Sequence, residues 1–147
     1  MVDHAELLQR MGETPGLVRA AHAAAHVTDA WPHSVVLGHL AYVEEHVWLP
    51  RLREMAAVDV PVWEWWEPDG VDWEGLYGAR GCEDVADEFE LARNATLAYL
   101  GALPDQGWAR KARHSVFGEL AVAGLCEEVL AHDHEHLAQL RASGPTL

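Results

Sequence analysis

Two histidines near the C-terminus have the spacing of metal ligands. They lie four residues apart in the run EEVLAHDHEHLAQLR, which extends from Glu127 to Arg141. Read as a helix, this run places His132 and His136 on the same stripe as its apolar residues, about 6 Å apart along the axis. Two imidazoles at that distance can converge on one ion, whereas two unpaired imidazoles in a core are costly. We therefore interpret the pair as part of a metal site, with hydrogen-bonded core histidines as the alternative.

A third imidazole is available on a predicted helix from about Val35 to Met55. His39 lies on the apolar face of this helix, and His46 lies at a similar angle but about 10 Å further along the axis. A rigid helix cannot give both to one ion, so one of them is the third ligand and the other is a core or interface residue. With His39 as the ligand, one position of a divalent ion stays open, as is typical of catalytic metal sites. Zinc or nickel suits three imidazoles best, with iron or manganese as alternatives.

The other histidines are interpreted as lying outside this site. His22 and His26 form the sequence HAAAH, which has the same spacing, but the alanines between them give no strong apolar stripe. They are predicted to lie on a solvated or partly packed face. His4, His33 and His114 are predicted to be surface residues.

The first two predicted helices lead to His39. The first has a break at Gly12–Pro15 and restarts there, because a threonine followed by proline is a typical helix start, and it continues to Val27. The second has Ser34 as its N-cap, and Pro50 is expected to kink it because proline lacks a backbone donor.

Two further helices complete the predicted fold. The third runs from about Glu83 to Leu103, and the fourth carries the histidine pair. No segment has a strand pattern strong enough to compete with the helical ones. The predicted fold class is therefore all-α, a bundle whose site is built from inward side chains of facing helices.

Two connections between the helices have a distinctive composition. Residues 57–81 are rich in proline, glycine and tryptophan, and a connection this long is usually functional in a compact domain. Its tryptophans either fill the end of the bundle or a subunit contact, or form the aromatic wall of a ligand pocket. These residues are Trp63, Trp65, Trp66 and Trp73. The connection at 108–114 holds three cations, predicted to be solvated, whose charge could attract an anionic group of a substrate: Arg110, Lys111 and Arg113.

Length and charge limit the class of protein. The 147 residues are predicted to form one domain over 1–147, and the net charge of −14 disfavours binding to nucleic acid or to anionic membrane surfaces. No apolar run has the length of a membrane span, and the first residues do not resemble a signal peptide, so a cytoplasmic protein acting on a small molecule is expected. Cys82 and Cys126 lie in no CxxC motif and are predicted to be free thiols.

The order of several short motifs resembles the DinB/YfiT-like superfamily, especially its DinB-like branch. The resemblance covers the chain from about Trp31 to Arg141. It rests on Trp31 itself, Gly38-His39-Leu40, Leu49-Pro50-Arg51-Leu52, Phe117-Gly118-Glu119 and His132-Asp133-His134-Glu135-His136-Leu137.

The resemblance implies a four-helix bundle of up-up-down-down connectivity, often a homodimer, in which three histidines hold a divalent metal. Carried over to this sequence, the ligands are His39, His132 and His136. Tyr42 stands where many relatives have an acid three residues after the first histidine. Glu128, one turn before His132, could replace that acid as a base or fourth ligand, or form a surface salt bridge.

Three hypotheses for the function follow, of which the resemblance implies the first. In the first, the metal binds and activates a low-molecular-weight thiol, such as mycothiol, bacillithiol or glutathione, for transfer to an electrophile. Cys82 and Cys126 would not be the nucleophiles. The second is a metal-dependent hydrolase in which Glu128 or another acid serves as base. The third is a metal-stabilised dimeric binding module without enzymatic activity, with the tryptophan-rich connection as its contact surface.

Overall fold

The computed structural model describes residues 3–24, 32–66 and 68–142. Its elements, in chain order, are α1 (His4–Ala24), α2 (His33–Val43), a π-helical segment (Glu44–Trp48), α3 (Leu49–Ala57), β1 (Val62–Trp63), α4 (Trp73–Tyr77), α5 (Cys82–Gly101), α6 (Asp105–Trp108), β2 (Lys111–His114), β3 (Gly118–Ala121) and α7 (Val122–Ala142). As predicted, four long helical runs form the bundle, the second of them being α2, the π segment and α3 together. Within the described ranges, no helix is long and apolar enough to cross a membrane.

Two apolar clusters give the directions of the four helical runs. One cluster joins the N-terminal halves of α1 and α7 to α3 and the C-terminal end of α5. The other joins the C-terminal halves of α1 and α7 to α2 and the N-terminal half of α5. The helical runs therefore point up, down, down and up. This order replaces the up-up-down-down order that the resemblance implied. The N-terminal ends of α2 and α5 lie in the same cluster, so these two helices start at the same end of the bundle. The chain between α3 and α5, residues 58–81, is long enough to cross the bundle and permits this arrangement.

The first helix is continuous through Pro15, so the predicted break at Gly12–Pro15 is wrong. Pro15 has no N–H to donate to the carbonyl of Met11, four residues earlier. The side chain of Arg93 on α5 donates to that carbonyl instead, through Nη1 at 2.8 Å. A tertiary contact thus satisfies the acceptor that proline leaves open.

The second helical run also differs from its prediction. Pro32 is the N-cap of α2, and Ser34 lies inside the helix. Just before Pro50, the N–H of Leu49 donates to the carbonyl of Glu44, five residues earlier, which is a π-helical bond. A π turn contains one extra residue, so it changes which side chains face the core. Glu44 is buried here, whereas His46 is exposed.

A small sheet at one end of the bundle corrects the prediction that the chain forms no strands. β1 pairs in parallel with β2, and β2 pairs antiparallel with β3, with His114 opposite Gly118. Gly118 has φ of 74°, a conformation that glycine adopts without strain. Burial alternates along β2, so Ala112 and His114 point inward. The strands are two and four residues long, too short for a sequence pattern to reveal.

A buried ionic layer lies at the boundary between the two apolar clusters. It consists of Thr14, Glu44, Arg93 and Asp133, one residue from each helical run, and each is at most 2% exposed. Arg93 donates to Glu44 at 2.6 Å and to both carboxylate oxygens of Asp133 at 2.8 and 2.9 Å. Thr14 donates to Asp133 at 2.8 Å. Charge-assisted bonds of this kind fix the relative positions of all four helical runs.

Candidate metal centre

The three predicted ligands come together between two facing helices. His39 on α2 and His132 and His136 on α7 each offer a ring nitrogen, and these three atoms lie within 4.8 Å of one another. Nε2 of His39 lies 3.1 Å from Nε2 of His132. The antiparallel packing of α2 on α7 brings the His39 ring to 4.5 Å from the ring centroid of His136. We call this group the three-histidine cluster.

The protonation of the cluster suits a metal. Burial, followed by the charge of His136, lowers the pKa of His39 to about 4. Burial and the two neighbouring imidazoles lower the pKa of His132 to about 2. Both rings are therefore neutral at pH 7, and neutral imidazole is the form that binds a metal.

Hydrogen bonds outside the cluster also fit a metal site. Nδ1 of His136 lies 2.9 Å from Oε1 of Gln139, an acceptor, which places the proton on Nδ1 and leaves the lone pair on Nε2. Nδ1 of His132 is buried without a hydrogen-bond partner among the described residues. Three imidazole nitrogens within 4.8 Å of one another form a donor set that a divalent ion can satisfy.

A cavity of about 450 Å³ opens beside the cluster. Most of its wall is aromatic or aliphatic. Its Trp and Phe rings come from the π-helical segment, the long connection and the β2–β3 turn: Trp48, Trp65, Trp66 and Phe117. Its charged residues are Arg51, Glu128 and Glu135. A cavity of this size and composition is typical of a small-molecule site.

The tryptophan-rich connection has both of the roles considered for it. Trp63 is buried in the apolar core, whereas Trp65 and Trp66 line the cavity. Trp73 packs edge-on against His39, with ring centroids 4.7 Å apart. The connection therefore forms an aromatic wall over its own chain's cluster.

The absence of a side chain at Gly38 permits this arrangement. The ring of Tyr77, at the end of α4, occupies the space where a Cβ of Gly38 would lie. The close contact holds α4 against α2, one residue from His39. Tyr42, on the next turn, contacts Trp66 and Trp73 rather than taking the place of an acid.

The remaining predicted histidines lie apart from the cluster. His46 is exposed and its ring lies against Tyr42 at a tilt of 39°, so it is not the third member of the cluster. His22 pairs with His33 through their Nδ1 atoms at 2.8 Å. His33 and His114 are 2% and 3% exposed, so the prediction that they are surface residues is wrong. His26 and Trp31 lie outside the described residues.

Two cavity residues were missed from the sequence, Arg51 and His114. The sequence pointed to the cations of the 108–114 connection as the charges that could attract an anionic substrate, but none of these three cations lines the cavity. Arg110 donates to the carbonyls of Met55 and Val58, and Lys111 pairs with Glu119. Arg51 belongs to a motif that the sequence did reveal, and only its role went unrecognised.

The structure thus defines a helical bundle whose three-histidine cluster faces an aromatic cavity. The chain belongs to the DinB superfamily, whose sequence model matches residues 4–140. This match confirms the resemblance noted from the motifs. No curated protein is similar to the chain at a significant level.

Among solved structures, the chain is similar to YfiT from Bacillus subtilis, described as a probable metal-dependent hydrolase with an unusual four-helix bundle topology. The TM-score is 0.78, the match covers 97% of this chain and 88% of that chain, and the sequences are 16% identical. At this identity the similarity establishes the fold and confirms the predicted four-helix bundle of YfiT type. The activity has to be argued from the site.

Proposed function

We propose that this protein is a divalent-metal-dependent hydrolase acting on a small molecule in the 450 Å³ cavity. The observation that carries the proposal is the convergence of His39, His132 and His136 at the cavity wall. We propose these residues as the ligands, with zinc or nickel as the preferred ion and iron or manganese as alternatives. YfiT, described as a probable metal-dependent hydrolase, supports the choice of reaction.

When bound, a divalent ion on three imidazoles supplies Lewis acidity at one open position, which makes a water or thiol there more acidic. The chain itself must then accept the proton. Glu128 is half-buried, lines the cavity and lies one turn before His132 on α7. A carboxylate so placed can act as general base, and we assign Glu128 this role. Glu135 also lines the cavity but is exposed.

The aromatic wall has a second role in this proposal. Two tryptophans lie beside different members of the cluster: Trp48 contacts His132, and Trp66 contacts His39. Rings at these positions exclude bulk water and leave access through the cavity. Exclusion of water strengthens the electrostatic interactions of the reacting groups.

Thiol transfer is the second candidate, and the state of the cysteines bears on it. Burial raises the pKa of Cys126 to about 12, and it also raises the pKa of Cys82. Neither thiol is therefore an effective nucleophile at pH 7. A thiol transferase built on this site would need a low-molecular-weight thiol of the mycothiol, bacillithiol or glutathione type as co-substrate, and the cavity has room for more than a water molecule.

The proposal predicts about one divalent ion per chain in protein purified without a metal-affinity tag. The double variant His132→Ala/His136→Ala should lose this ion, because one imidazole alone cannot hold it. Mass spectrometry of the metal content measures the effect. His134→Ala is the matched control, since His134 is exposed on the same helix and lies outside the cluster. An ion-free wild type, even after reconstitution with zinc, nickel and manganese, would show that the histidines are core residues, and a binding module without metal or enzymatic activity would then be the better hypothesis.

The assignment of Glu128 predicts a loss of turnover without loss of metal. Glu128→Gln should lower kcat by about 10²- to 10⁴-fold, as expected for loss of a general base. Metal-loaded protein would be screened against nitrophenyl esters and phosphoesters, and against chlorodinitrobenzene with and without glutathione. Activity that requires glutathione would favour transfer over hydrolysis. Glu127→Gln is the neighbouring control; equal losses in the two variants would contradict the role of Glu128.

The homodimer implied by the resemblance, the cytoplasmic location and the single domain over 1–147 stay predictions.

A further inference from the structure

One side of the cavity contains a cation that forms no ion pair with the described residues. Arg51, on α3, is half-buried and lines the cavity. Its guanidinium donates to the carbonyl of Glu64 at 2.9 Å and lies over the ring of Trp63, 5.1 Å from the centroid. It forms no salt bridge with a carboxylate among the described residues. A guanidinium has five N–H donors, so most of its capacity stays available.

Five basic side chains form no salt bridge among the described residues, namely Arg51, Arg53, Arg110, Arg113 and Arg141. Of these, Arg51 alone lines the cavity. Arg93, which is 1% exposed, is held by two carboxylates. Burial lowers the pKa of Arg51, and the charge of Glu54 opposes this effect only in part, so the guanidinium is desolvated at a net cost. An anionic ligand would offset that cost.

His114 provides a second donor in the same part of the cavity. Its Nδ1 accepts from the backbone N–H groups of Val116 and Phe117, at 3.0 and 3.3 Å. Nδ1 is therefore unprotonated, and the neutral ring carries its proton on Nε2. Nε2 has no hydrogen-bond partner in the described part of the chain. Both His114 and Arg51 line the cavity. Burial, followed by the charge of Arg51, lowers the pKa of His114, and the charge of Glu64 opposes this effect.

The charges in the cavity are divided between its walls. Glu128 and Glu135 come from α7, which also carries His132 and His136. Arg51 comes from α3 and His114 from β2. The rings of Trp65 and Phe117 contact His114 and also line the cavity. A ligand with an apolar body and one negative end fits this division, because its charge would lie away from the two glutamates.

We propose that Arg51 and His114 form an anion-binding subsite that holds the carboxylate of an apolar, aromatic small molecule and orients it toward the three-histidine cluster. The proposal deepens the proposed function, since it takes the cavity as the substrate site. A planar carboxylate matches the fork of a guanidinium, with His114 Nε2–H as an additional donor. A phosphate dianion suits the cavity less well, because the same wall space is largely apolar and the opposite wall carries two carboxylates.

A pair of probes that differ only in charge tests this subsite. The probes are 3-phenylpropionate and 3-phenylpropionamide, titrated by ligand-observed NMR at pH 7.5. Wild-type protein should bind the acid about 10-fold or more tightly than the amide, the difference expected for a charge-assisted hydrogen bond. Arg51→Gln should reduce this ratio to about one, whereas Arg51→Lys should keep part of it.

Two controls test whether the preference for the acid over the amide depends on Arg51 itself. The first excludes a general effect of losing an arginine, and the second excludes an effect of the metal. Arg53→Gln should leave the ratio unchanged, since Arg53 is an exposed arginine on the same helix and outside the cavity. Metal-free wild type and His132→Ala/His136→Ala should also keep the ratio, so that absence of a metal would sink the proposed hydrolase and not the subsite. The subsite is refuted if Arg51→Gln keeps the ratio, if the histidine double variant loses it, or if neither probe binds. Should Arg51→Gln fail to fold, Arg51→Lys and His114→Gln carry the same comparison.

Discussion

Replacing Arg93 with methionine is expected to lower the free energy of unfolding by about 3–5 kcal/mol. Arg93 is 1% exposed and is the only cation bonded to Glu44 and Asp133 in the described part of the chain, and both carboxylates are also 1% exposed. Without it, two buried carboxylates would lose their cation, and the carbonyl of Met11 would lose its donor. Urea unfolding of wild type and variant at pH 8 measures the difference.

The exposed ion pair of Arg80 provides the matched control. Arg80 is bonded to Glu88 at 2.7 Å, with side chains 39% and 47% exposed, so Arg80→Met should cost no more than about 1 kcal/mol. A triple variant, Glu44→Leu/Arg93→Met/Asp133→Leu, should regain much of the lost stability, because apolar groups replace the whole ion network. Equal losses for Arg93→Met and Arg80→Met would contradict a structural role for the ionic layer.

The pH dependence of the Arg93→Met loss follows from the same contacts. Burial raises the pKa of Glu44, and Arg93 opposes this effect. In the variant the opposing charge is gone, so a buried carboxyl can take up a proton and become neutral as the pH falls. The difference in unfolding free energy between variant and wild type should therefore be smaller at pH 5 than at pH 8.

The ionic layer also shows what the sequence could not reveal. The four helical runs and the inward positions of His39, His132 and His136 could be predicted because each depends on spacing within its own helix, and the family resemblance joined the three histidines into one set. Arg93 lies in a helix rich in charged residues, where it reads as a solvated side chain. Its partners Glu44, Met11 and Asp133 are 40 to 82 residues away in sequence. No local pattern encodes a contact of that kind.

The helix directions and the cavity were hidden for related reasons. A short connection forces the two helices that it joins to be antiparallel. The 58–81 connection is long enough for α3 and α5 to be either parallel or antiparallel, so the sequence does not determine their directions. His114 enters the cavity because β2 alternates inward and outward, and β2 forms only when β1 and β3 pair with it. Arg51 was visible within the motif Leu49–Leu52, yet its importance depends on its position in the cavity wall, where it forms no salt bridge with the residues that the structure describes. Only the folded structure shows this position. Arg51 and His114 could therefore be recognised as candidate site residues only from the tertiary structure.

The metal-free protein is expected to lose stability steeply as the pH falls below 6.5. The folded state lowers the pKa of His39 to about 4 and of His132 to about 2, against an unfolded value of 6.5. Between these values the unfolded chain binds more protons than the folded one, so protonation favours unfolding. Stability is therefore fully present above pH 6.5 and declines toward the folded pKa values. Each histidine contributes a loss of about 2 kcal/mol between pH 8 and pH 5.

Urea unfolding in EDTA at pH 8, 7, 6 and 5 measures this loss, and variants assign it to the cluster. His39→Gln/His132→Gln should remove about 4 kcal/mol of the pH-dependent difference, whereas His134→Gln should leave it unchanged because His134 is exposed. The range ends at pH 5 because carboxylates also titrate below it. Addition of zinc should raise the stability at pH 8 more than at pH 5, since protons compete with the metal for the same imidazoles. A double variant that retains the wild-type pH dependence would show that the cluster does not control it, and the neutral, metal-ready state inferred for these imidazoles would then be wrong.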